Sequence, residues 1–301
     1  PIAIKMTLDS MGDDERPIEE GLAIAKYLAD SGLVDMIHFG RGAYSCRWRM
    51  VSSVYQPVGF DLEAAPKMRE VIGNIPLMAH GKLNHPDVAE KAVSDGLIDL
   101  VAIGHGLIAD PHWANKVKKG KLDEINPCIG CGECHFNAMK GHSRPCAVNV
   151  HGMREGEFEL TPAKSDLNIL VIGAGPGGMK AAATAAERGY RVSLYDKNTY
   201  MGGIMAAAGA PRFKADVHDQ VEYLKRQIAK NNVDLHLNTE ITLEDVKKIN
   251  PDFVVVATGA NPVVIPVPGA DKPNVSTAVP VLLKQKEVGQ KVVVVGGGEV
   301  G

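Results

Sequence analysis

Short apolar runs alternate with amphipathic stretches along residues 1 to about 120. The runs are typical of β-strands, whereas the stretches repeat apolar residues at helical spacing. We predict strands at Ile2–Thr7, Val34–Phe39, Ile75–Ala79 and Leu100–Ile103, and helices near Ile18–Ala29, Leu62–Ile72, Pro86–Ser94 and Pro111–Lys118. Four successive βα units predict a parallel sheet whose strands are joined by right-handed crossovers.

Polar, glycine-containing segments follow these strands, at the end of a parallel sheet where ligands bind. Gly81 and Gly104 would let the backbone approach an anion, and Lys82 and His105 would add positive charge. Taken singly, each segment is also explained as an ordinary βα turn. Lys5 lies in an otherwise apolar strand, and a buried ammonium is costly without an anionic partner. We therefore expect an electron-rich partner there, such as the edge of a flavin.

A second region of strands and helices begins near Asn168, after a polar connector from about Gly152 to Asp166. A strand at Leu167–Ile172 leads into Gly173-Ala174-Gly175-Pro176-Gly177-Gly178, a helix to about Arg188 and the strand Arg191–Tyr195. This combination is the fingerprint of a dinucleotide-binding fold.

Four residues of the fingerprint have separate expected roles. Gly173 makes the tight turn, Gly175 admits the pyrophosphate to the backbone, and Gly178 allows the helix to pack closely. Asp196 follows the second strand, where a carboxylate accepts hydrogen bonds from a ribose. We therefore predict an adenine dinucleotide site at this turn.

A shorter fingerprint follows it. A buried strand, Phe253–Val256, is predicted to end in a turn at Gly259, and a further strand, Lys291–Val295, to run into Gly296, Gly298 and Gly301. Two fingerprints in one chain suggest one flavin adenine site and one nicotinamide site. Because the second motif stops at its third glycine, we expect the chain to be part of a longer protein.

The chain has five cysteines, and four of them lie within nineteen residues. Cys128, Cys131 and Cys134 recur every third residue, and Cys146 follows after eleven intervening residues. This spacing predicts a four-iron cluster held by four thiolates. A structural zinc site is the main alternative, although zinc usually takes two separated C-x2-C pairs. Disulfides fit less well, because the sequence shows neither a secretory signal nor a dense cysteine framework.

Composition and charge narrow the range of partners. The chain has 301 residues, 45% of them hydrophobic, and a formal net charge of −3. That length predicts two domains. No apolar run is long enough to span a membrane, and the acidic balance gives no general attraction for nucleic acid. We expect neither kind of partner, and the cysteine usage favours a reducing cytoplasm.

Several motifs together resemble one family of enzymes. They are Ala109-Asp110-Pro111, Ile125-Asn126-Pro127-Cys128-Ile129-Gly130-Cys131, Cys146-Ala147-Val148-Asn149, the Gly173 fingerprint, Gly202-Gly203 and Ala257-Thr258-Gly259. In order and spacing they are similar to the family of 2,4-dienoyl-CoA reductase, 2-enoate reductase and trimethylamine dehydrogenase. The resemblance covers nearly the whole chain.

The resemblance implies an α/β architecture of four parts. Residues 1–122 would form the C-terminal half of an old-yellow-enzyme-like (β/α)8 TIM barrel that binds FMN. Residues 123–152 would form a linker that binds a 4Fe-4S cluster. Residues 153–290 would form a Rossmann-like FAD-binding domain, and residues 291–301 the start of an NAD(P)H-binding domain.

The resemblance also implies roles for individual residues. Lys5 would face the flavin N1 and O2, and the FMN phosphate would be held by Gly81, Lys82, Gly104 and His105. Most members have arginine in place of His105, and imidazole cannot make the two-pronged phosphate contact of a guanidinium. The loop after the second strand lacks the family's histidine or aspartate. Tyr44 is therefore the predicted proton donor or substrate contact, with a packing aromatic as the alternative.

For function, the resemblance implies an oxidoreductase that passes electrons from NAD(P)H through FAD and the cluster to FMN. The acceptor would be the activated C=C bond of an enoate or enoyl-CoA. An amine dehydrogenase or N-demethylase is the alternative within the family. A truncated, non-catalytic nucleotide- and metal-binding fragment is the alternative outside it, because half a barrel leaves an open sheet edge. We also expect a homo-oligomer.

Overall fold

The computed structural model describes residues 1–12, 16–142 and 145–298. The chain has an α/β fold and divides into two compact units, Pro1–Phe158 (unit 1) and Glu159–Gly301 (unit 2). Each unit contains a four-stranded sheet. The division falls inside the polar connector that the sequence indicates as a boundary.

The sheet of unit 1 has its strands in chain order. They are β1 (Ala3–Asp9), β2 (Met36–Arg41), β3 (Leu77–Ala79) and β4 (Leu100–Val101), and each neighbouring pair is parallel. The prediction of four strands in a parallel sheet is confirmed. The second strand lies two residues further along the chain than predicted, at Met36–Arg41 instead of Val34–Phe39.

The helices of unit 1 mostly follow the predicted pattern. They are α1 (Ile18–Asp30), α2 (Arg47–Met50), α3 (Ala65–Ile72), α4 (Pro86–Ser94), α5 (His105–Ala109), α6 (Trp113–Lys118) and α7 (Glu133–Met139), with 3-10 turns at Tyr44–Cys46, Leu62–Ala64 and Leu122–Glu124. Helix α5 lies in a segment predicted as a loop. It packs closely on the loop that follows β3, because a Cβ on Gly106 would stand 2.5 Å from the Cβ of Asn84.

The hydrophobic core decides which face of β1 and β2 is open. Leu8, Ile37 and Phe39 are fully buried. Burying a large apolar side chain stabilises a fold by about 1.5–3 kcal/mol, so this face is held inward. Successive strand residues point to opposite sides, which turns Lys5 and His38 to the other face. These two residues are partners in the β1–β2 register.

The sheet of unit 2 has the order β7-β6-β5-β8 and is also parallel. Its strands are β5 (Asn168–Ile172), β6 (Arg191–Tyr195), β7 (Asp234–His236) and β8 (Phe253–Val256). Its helices are α8 (Pro176–Glu187), α9 (Gly203–Ala208), α10 (Ala215–Lys230), α11 (Leu243–Ile249) and α12 (Ala278–Leu282), and a 3-10 turn lies at Arg212–Lys214. Within the described ranges, no helix combines the length and apolar character that crossing a bilayer requires.

Two strand predictions for unit 2 need correction. Strand β8 is not buried as expected, since Phe253 is 60% exposed at the edge of the sheet. Residues 291–295 do not form the predicted strand. A strand requires a hydrogen-bonding neighbour, and among the described residues none pairs with this segment, in which Val293 is 87% exposed.

Candidate functional site

A cavity of about 220 Å³, here called cavity A, opens in unit 1 beyond the C-terminal ends of the strands. Its lining consists of Lys5, Met50–Ser53, His80–Asn84, Ala102–Gly106, Cys128, Gly130 and His135. The structure therefore brings together the five residues predicted to hold FMN, which are Lys5, Gly81, Lys82, Gly104 and His105. The sequence did not indicate the contributions of Met50–Ser53 or His80.

The backbone around Gly81 is closely packed behind cavity A. Gly81 has φ +108°, a conformation that favours glycine. A Cβ there would lie 3.1 Å from the Asp61 side chain. The next residue, Lys82, also has a positive φ, of 59°, and its ammonium donates a hydrogen bond of 2.8 Å to the Gln56 carbonyl. The Lys82 side chain is thus held against the loop that forms one wall of the cavity.

Two expectations about charge in cavity A are changed by the structure. Lys5 is exposed and not buried, because its face of β1 is turned toward the cavity and away from the core. Burial, and then the nearby His135, lower the pKa of His105. This shift favours the neutral imidazole, which offers a hydrogen bond, over the positive charge predicted for it.

A second cavity, cavity B, is lined by all four predicted cluster ligands. They are Cys128, Cys131, Cys134 and Cys146, accompanied by His105, Ile108, Ile129, Gly132, Ala147 and Val148. Cys128 and His105 line cavity A as well. The cysteine quartet and the group of residues predicted to hold FMN therefore adjoin each other through these two side chains.

The donors of cavity B fit an iron–sulfur cluster in number and chemistry. Burial raises the pKa of Cys128 to about 12 and also raises the pKa values of Cys134 and Cys146. Adjacent buried thiolates need a compensating cationic centre, so metal binding and deprotonation would occur together. The cavity measures about 10 Å³, room for about one water. The surrounding loops would have to separate to admit a cluster.

The arrangement is not a ready-made site for a single ion. In residues 1–12, 16–142 and 145–298, no three His, Cys, Asp or Glu side chains are grouped so as to hold one metal ion. The cluster itself remains a prediction.

Two polar side chains that the sequence does not mark as functional fix the positions of the cysteine segments. Asp110 is 3% exposed and accepts hydrogen bonds from the Lys116 ammonium (2.6 Å) and the Asn126 backbone (2.8 Å). The Asn126 amide donates to the Ala109 and Val148 carbonyls, both at 3.0 Å. One side chain therefore joins the start of the first cysteine segment to the residues after Cys146. In the sequence, Asp110 and Asn126 stand out only as parts of the motifs Ala109-Asp110-Pro111 and Ile125-Asn126-Pro127.

Gly130 brings the cysteine loop against the wall of cavity A. It has φ +62°, and a Cβ there would lie 2.5 Å from the Val54 nitrogen. The same Val54 amide donates a hydrogen bond of 3.0 Å to the Gly130 carbonyl. Glycine is thus required at this position for both conformation and space.

Substituting Asp110→Asn is expected to destabilise unit 1 by about 3 kcal/mol, because it leaves the largely buried Lys116 ammonium without its carboxylate. The loss of this anchor should also weaken retention of iron. Thermal unfolding and iron analysis would measure the two effects. Asp30→Asn is the matched control, since it removes an exposed ion pair with Lys26 that is worth at most about 1 kcal/mol. Equal effects of both substitutions would contradict the anchoring role.

The glycine-rich turn of unit 2 has the geometry that the fingerprint predicts. Gly173 has φ +109°, and a Cβ there would lie 2.3 Å from the Ala257 carbonyl oxygen. A Cβ on Gly178 would lie 1.8 Å from the Gly173 oxygen. Gly175, directly before α8, has open space at the same position. Gly173 and Gly178 therefore allow close packing of the backbone, and Gly175 leaves open space outside the turn.

Asp196 joins this turn to the end of β6. It is 8% exposed, and one carboxylate oxygen accepts a hydrogen bond of 2.6 Å from the Ala174 backbone. The other accepts from the backbone and side chain of Asn198, at 2.7 and 2.9 Å. The carboxylate thus stabilises the turn. Its predicted contact with a ribose would add to these bonds, since a carboxylate has about four acceptor positions.

The remaining predicted glycines have different surroundings. A Cβ on Gly203 would lie 3.2 Å from the Gly175 Cα, so the start of α9 borders the space beside the turn. Gly259 and Gly296 have positive φ values of 71° and 112°. The structure shows open space around Gly259, Gly296 and Gly298. Gly301 lies outside the described residues.

Tyr44 is not part of cavity A. Its side chain is 76% exposed, and the Arg47 guanidinium lies 5.6 Å from the centre of its ring. Its predicted role in proton donation or substrate contact stays a prediction. His80, which directly follows β3, is a titratable side chain that does line cavity A.

Comparison with known proteins identifies both parts of the chain. Residues 6–124 match the NADH:flavin oxidoreductase / NADH oxidase family. Residues 167–301 match the pyridine nucleotide-disulphide oxidoreductase family. The first match contains most of cavity A, and the second begins just before the Gly173 turn.

Individual relatives combine both parts. The chain is 34% identical to NADH oxidase of Thermoanaerobacter brockii, covering 100% of this chain and 47% of the relative. It is also 34% identical to cinnamate reductase of Clostridium sporogenes, covering 95% and 43%. A solved structure of 2-naphthoyl-CoA reductase with 2-naphthoyl-CoA superposes with a TM-score of 0.90 at 28% identity, covering 96% and 44%. The chain thus spans less than half the length of these proteins.

Proposed function

Because the chain belongs to the NADH:flavin oxidoreductase family, in the branch of 2-enoate reductase and trimethylamine dehydrogenase, we propose that the protein is an ene-reductase. Its substrate would be an enoate or an enoyl-CoA, and its reductant NAD(P)H. The observation that carries this proposal is the adjacency of cavities A and B, which share Cys128 and His105.

Cavity A would hold FMN. The Lys5 ammonium, exposed on the open face of β1, would bind the electron-rich edge of the ring. Gly81 and Gly104 would let backbone amides approach the phosphate, with Lys82 and a neutral His105 beside them. A barrel of the kind that the resemblance implies would bring these groups to one flavin, and the four parallel strands would form half of it.

Cys128, Cys131, Cys134 and Cys146 would hold a 4Fe-4S cluster in cavity B. When bound, the cluster would supply one-electron transfer between FAD and FMN, whose own chemistry accepts and delivers hydride. Cys128 would border both groups, because its side chain lines both cavities. His105 would border both groups as well, because it also lines both cavities.

The Gly173 turn would bind FAD in a Rossmann-like domain. Gly175 leaves open space before the twelve-residue helix α8, and a helix N-terminus favours a pyrophosphate. Gly203 and Gly259 would border the same ligand. Gly296, Gly298 and Gly301 would belong to an NAD(P)H site. We further propose a homo-oligomer that works in the cytoplasm, where thiols stay reduced.

Cofactor analysis followed by anaerobic titration tests this function. We expect FMN, FAD, iron and sulfide in the purified protein. NADH or NADPH should bleach the flavins, and an added enoate or enoyl-CoA should restore their colour. The extent of each change would be read from the flavin absorption.

Other results would favour the alternatives. Bleaching by an amine but not by NAD(P)H would identify an amine dehydrogenase. FAD without FMN would favour the non-catalytic interpretation. Zinc in place of iron would exclude the electron relay.

A further inference from the structure

His80, which lines cavity A, is directly hydrogen-bonded to His38 on the neighbouring strand β2. The His38 Nε2 lies 2.9 Å from the His80 Nδ1, and the rings meet edge to face. The His80 ring is held against Gly40, where a Cβ would lie 2.1 Å from its Cε1. Two imidazoles that share one proton in a fixed contact can accept a further proton as a pair.

Asp61 lies behind this pair. Its carboxylate stands 3.8 Å from the His80 Nε2 and is 1% exposed, and among the described residues neither of its oxygens has a hydrogen-bond partner. Burial raises the pKa of Asp61 to about 7. A buried carboxyl group without donors is costly when charged, and an imidazolium at the neighbouring ring would remove part of that cost.

Burial and the charges around the pair both favour its neutral form. Burial, then His38 and Lys5, lower the pKa of His80 to about 4, and burial and Lys5 also lower the pKa of His38. Arg41 from β2 and Glu63 from the 3-10 turn Leu62–Ala64 act on Asp61 with opposite charges. The other cationic or titratable side chains that line the cavity are Lys82, His105, Cys128 and His135.

We propose that the His38–His80 pair, supported by Asp61, takes up a proton when negative charge enters cavity A beside Lys5. Such a charge would offset the repulsion that the Lys5 ammonium exerts on a proton in the pair. Lys5 and His38 are register partners on one face of the sheet, so both would lie near the added charge. The inference rests on the proposed binding of FMN in this cavity.

Reduction of the flavin would supply the charge. NAD(P)H would transfer hydride to FAD and leave as NAD(P)⁺, and two electrons would then pass one at a time through the cluster to FMN, while the proton that FAD releases is matched by one that binds the FMN ring. The neutral ring thereby gains one net negative charge. A proton from solvent then binds the imidazole pair and restores the net charge of the cavity. Oxidation of the flavin reverses both changes.

Proton counting on the flavin-loaded protein tests the inference. Weakly buffered samples at about pH 6, within the range where histidine titrates, would be fully photoreduced in the presence of a pH indicator. The wild type should take up roughly one proton more per chain than His80→Gln, because only the wild type has the pair. Contributions from FAD and the cluster are common to both samples and cancel.

Two further variants complete the test. Asp61→Asn should reduce the extra uptake and shift it to lower pH, since it removes the carboxyl group that can ionise beside a protonated His80. His112→Gln, an exposed histidine outside cavity A, should behave as wild type. Equal proton counts in the wild type and His80→Gln, with FMN bound to both, would overturn the inference. Absence of FMN from the wild type would instead overturn the proposed function.

Discussion

Replacing Cys128 by serine should remove the iron and sulfide from the protein, together with its brown colour. An alkoxide is a poor substitute for a thiolate, and loss of a ligand should exceed the roughly 10–100-fold loss of affinity seen when an outer partner is removed. The effect should be large because Cys128 is one of the four thiols of cavity B. Iron and sulfide analysis of anaerobically purified protein would measure it.

Cys46→Ser is the matched control for that substitution. Cys46 is buried outside cavity B, where its thiol donates a hydrogen bond of 2.8 Å to the Ser10 carbonyl. A hydroxyl can make the same bond, so iron content should not change. If Cys128→Ser kept its iron, or if Cys46→Ser lost as much, the assignment of the quartet as cluster ligands would be wrong.

Substituting Gly178→Ala should destabilise unit 2 by about 3 kcal/mol or more and abolish FAD binding. The added Cβ would stand 1.8 Å from the Gly173 carbonyl oxygen, and both groups belong to backbone that the sheet and α8 hold in place. Overpacking of this kind forces the backbone to move. Thermal unfolding and the FAD content of the purified protein would measure the two effects.

Substitutions at two neighbouring glycines would distinguish an effect on folding from an effect on FAD binding. Gly177→Ala adds its Cβ to open space at the start of α8. It should keep FAD and raise helix stability slightly, by about 0.5–1 kcal/mol. Gly175→Ala should also leave the fold intact, but its Cβ would occupy the space proposed for the pyrophosphate and weaken FAD. Normal FAD binding by Gly178→Ala would contradict the packing role of that glycine.

Local motifs allowed much of the site to be predicted from the sequence. The Gly173 turn and the cysteine run depend on residues that are close in the chain, so their spacing indicates a geometry without knowledge of the fold. The parallel sheet of unit 1 was predicted for a related reason. Alternating apolar runs and helical stretches permit few other arrangements.

Other parts of the site depended on contacts between distant residues. Asp61 and His80 are separated by a turn, a helix and a strand in the chain, and nothing local marks them as a pair. The anchoring of Asn126 by Asp110 was also missed, since both side chains have ordinary polar character. Lys5 was predicted to be buried because its strand is apolar, whereas its face is open to cavity A.

The sequence by itself determined the α/β class, the two units and the identity of the cysteine and glycine motifs, because each follows from periodicity or from spacing within one segment. The tertiary structure alone decided that cavities A and B share Cys128 and His105, and that His38, His80 and Asp61 meet. The reason is physical. Burial of one face of the strands, and close approach of the backbone at glycines such as Gly40 and Gly130, bring together side chains that the chain itself keeps far apart.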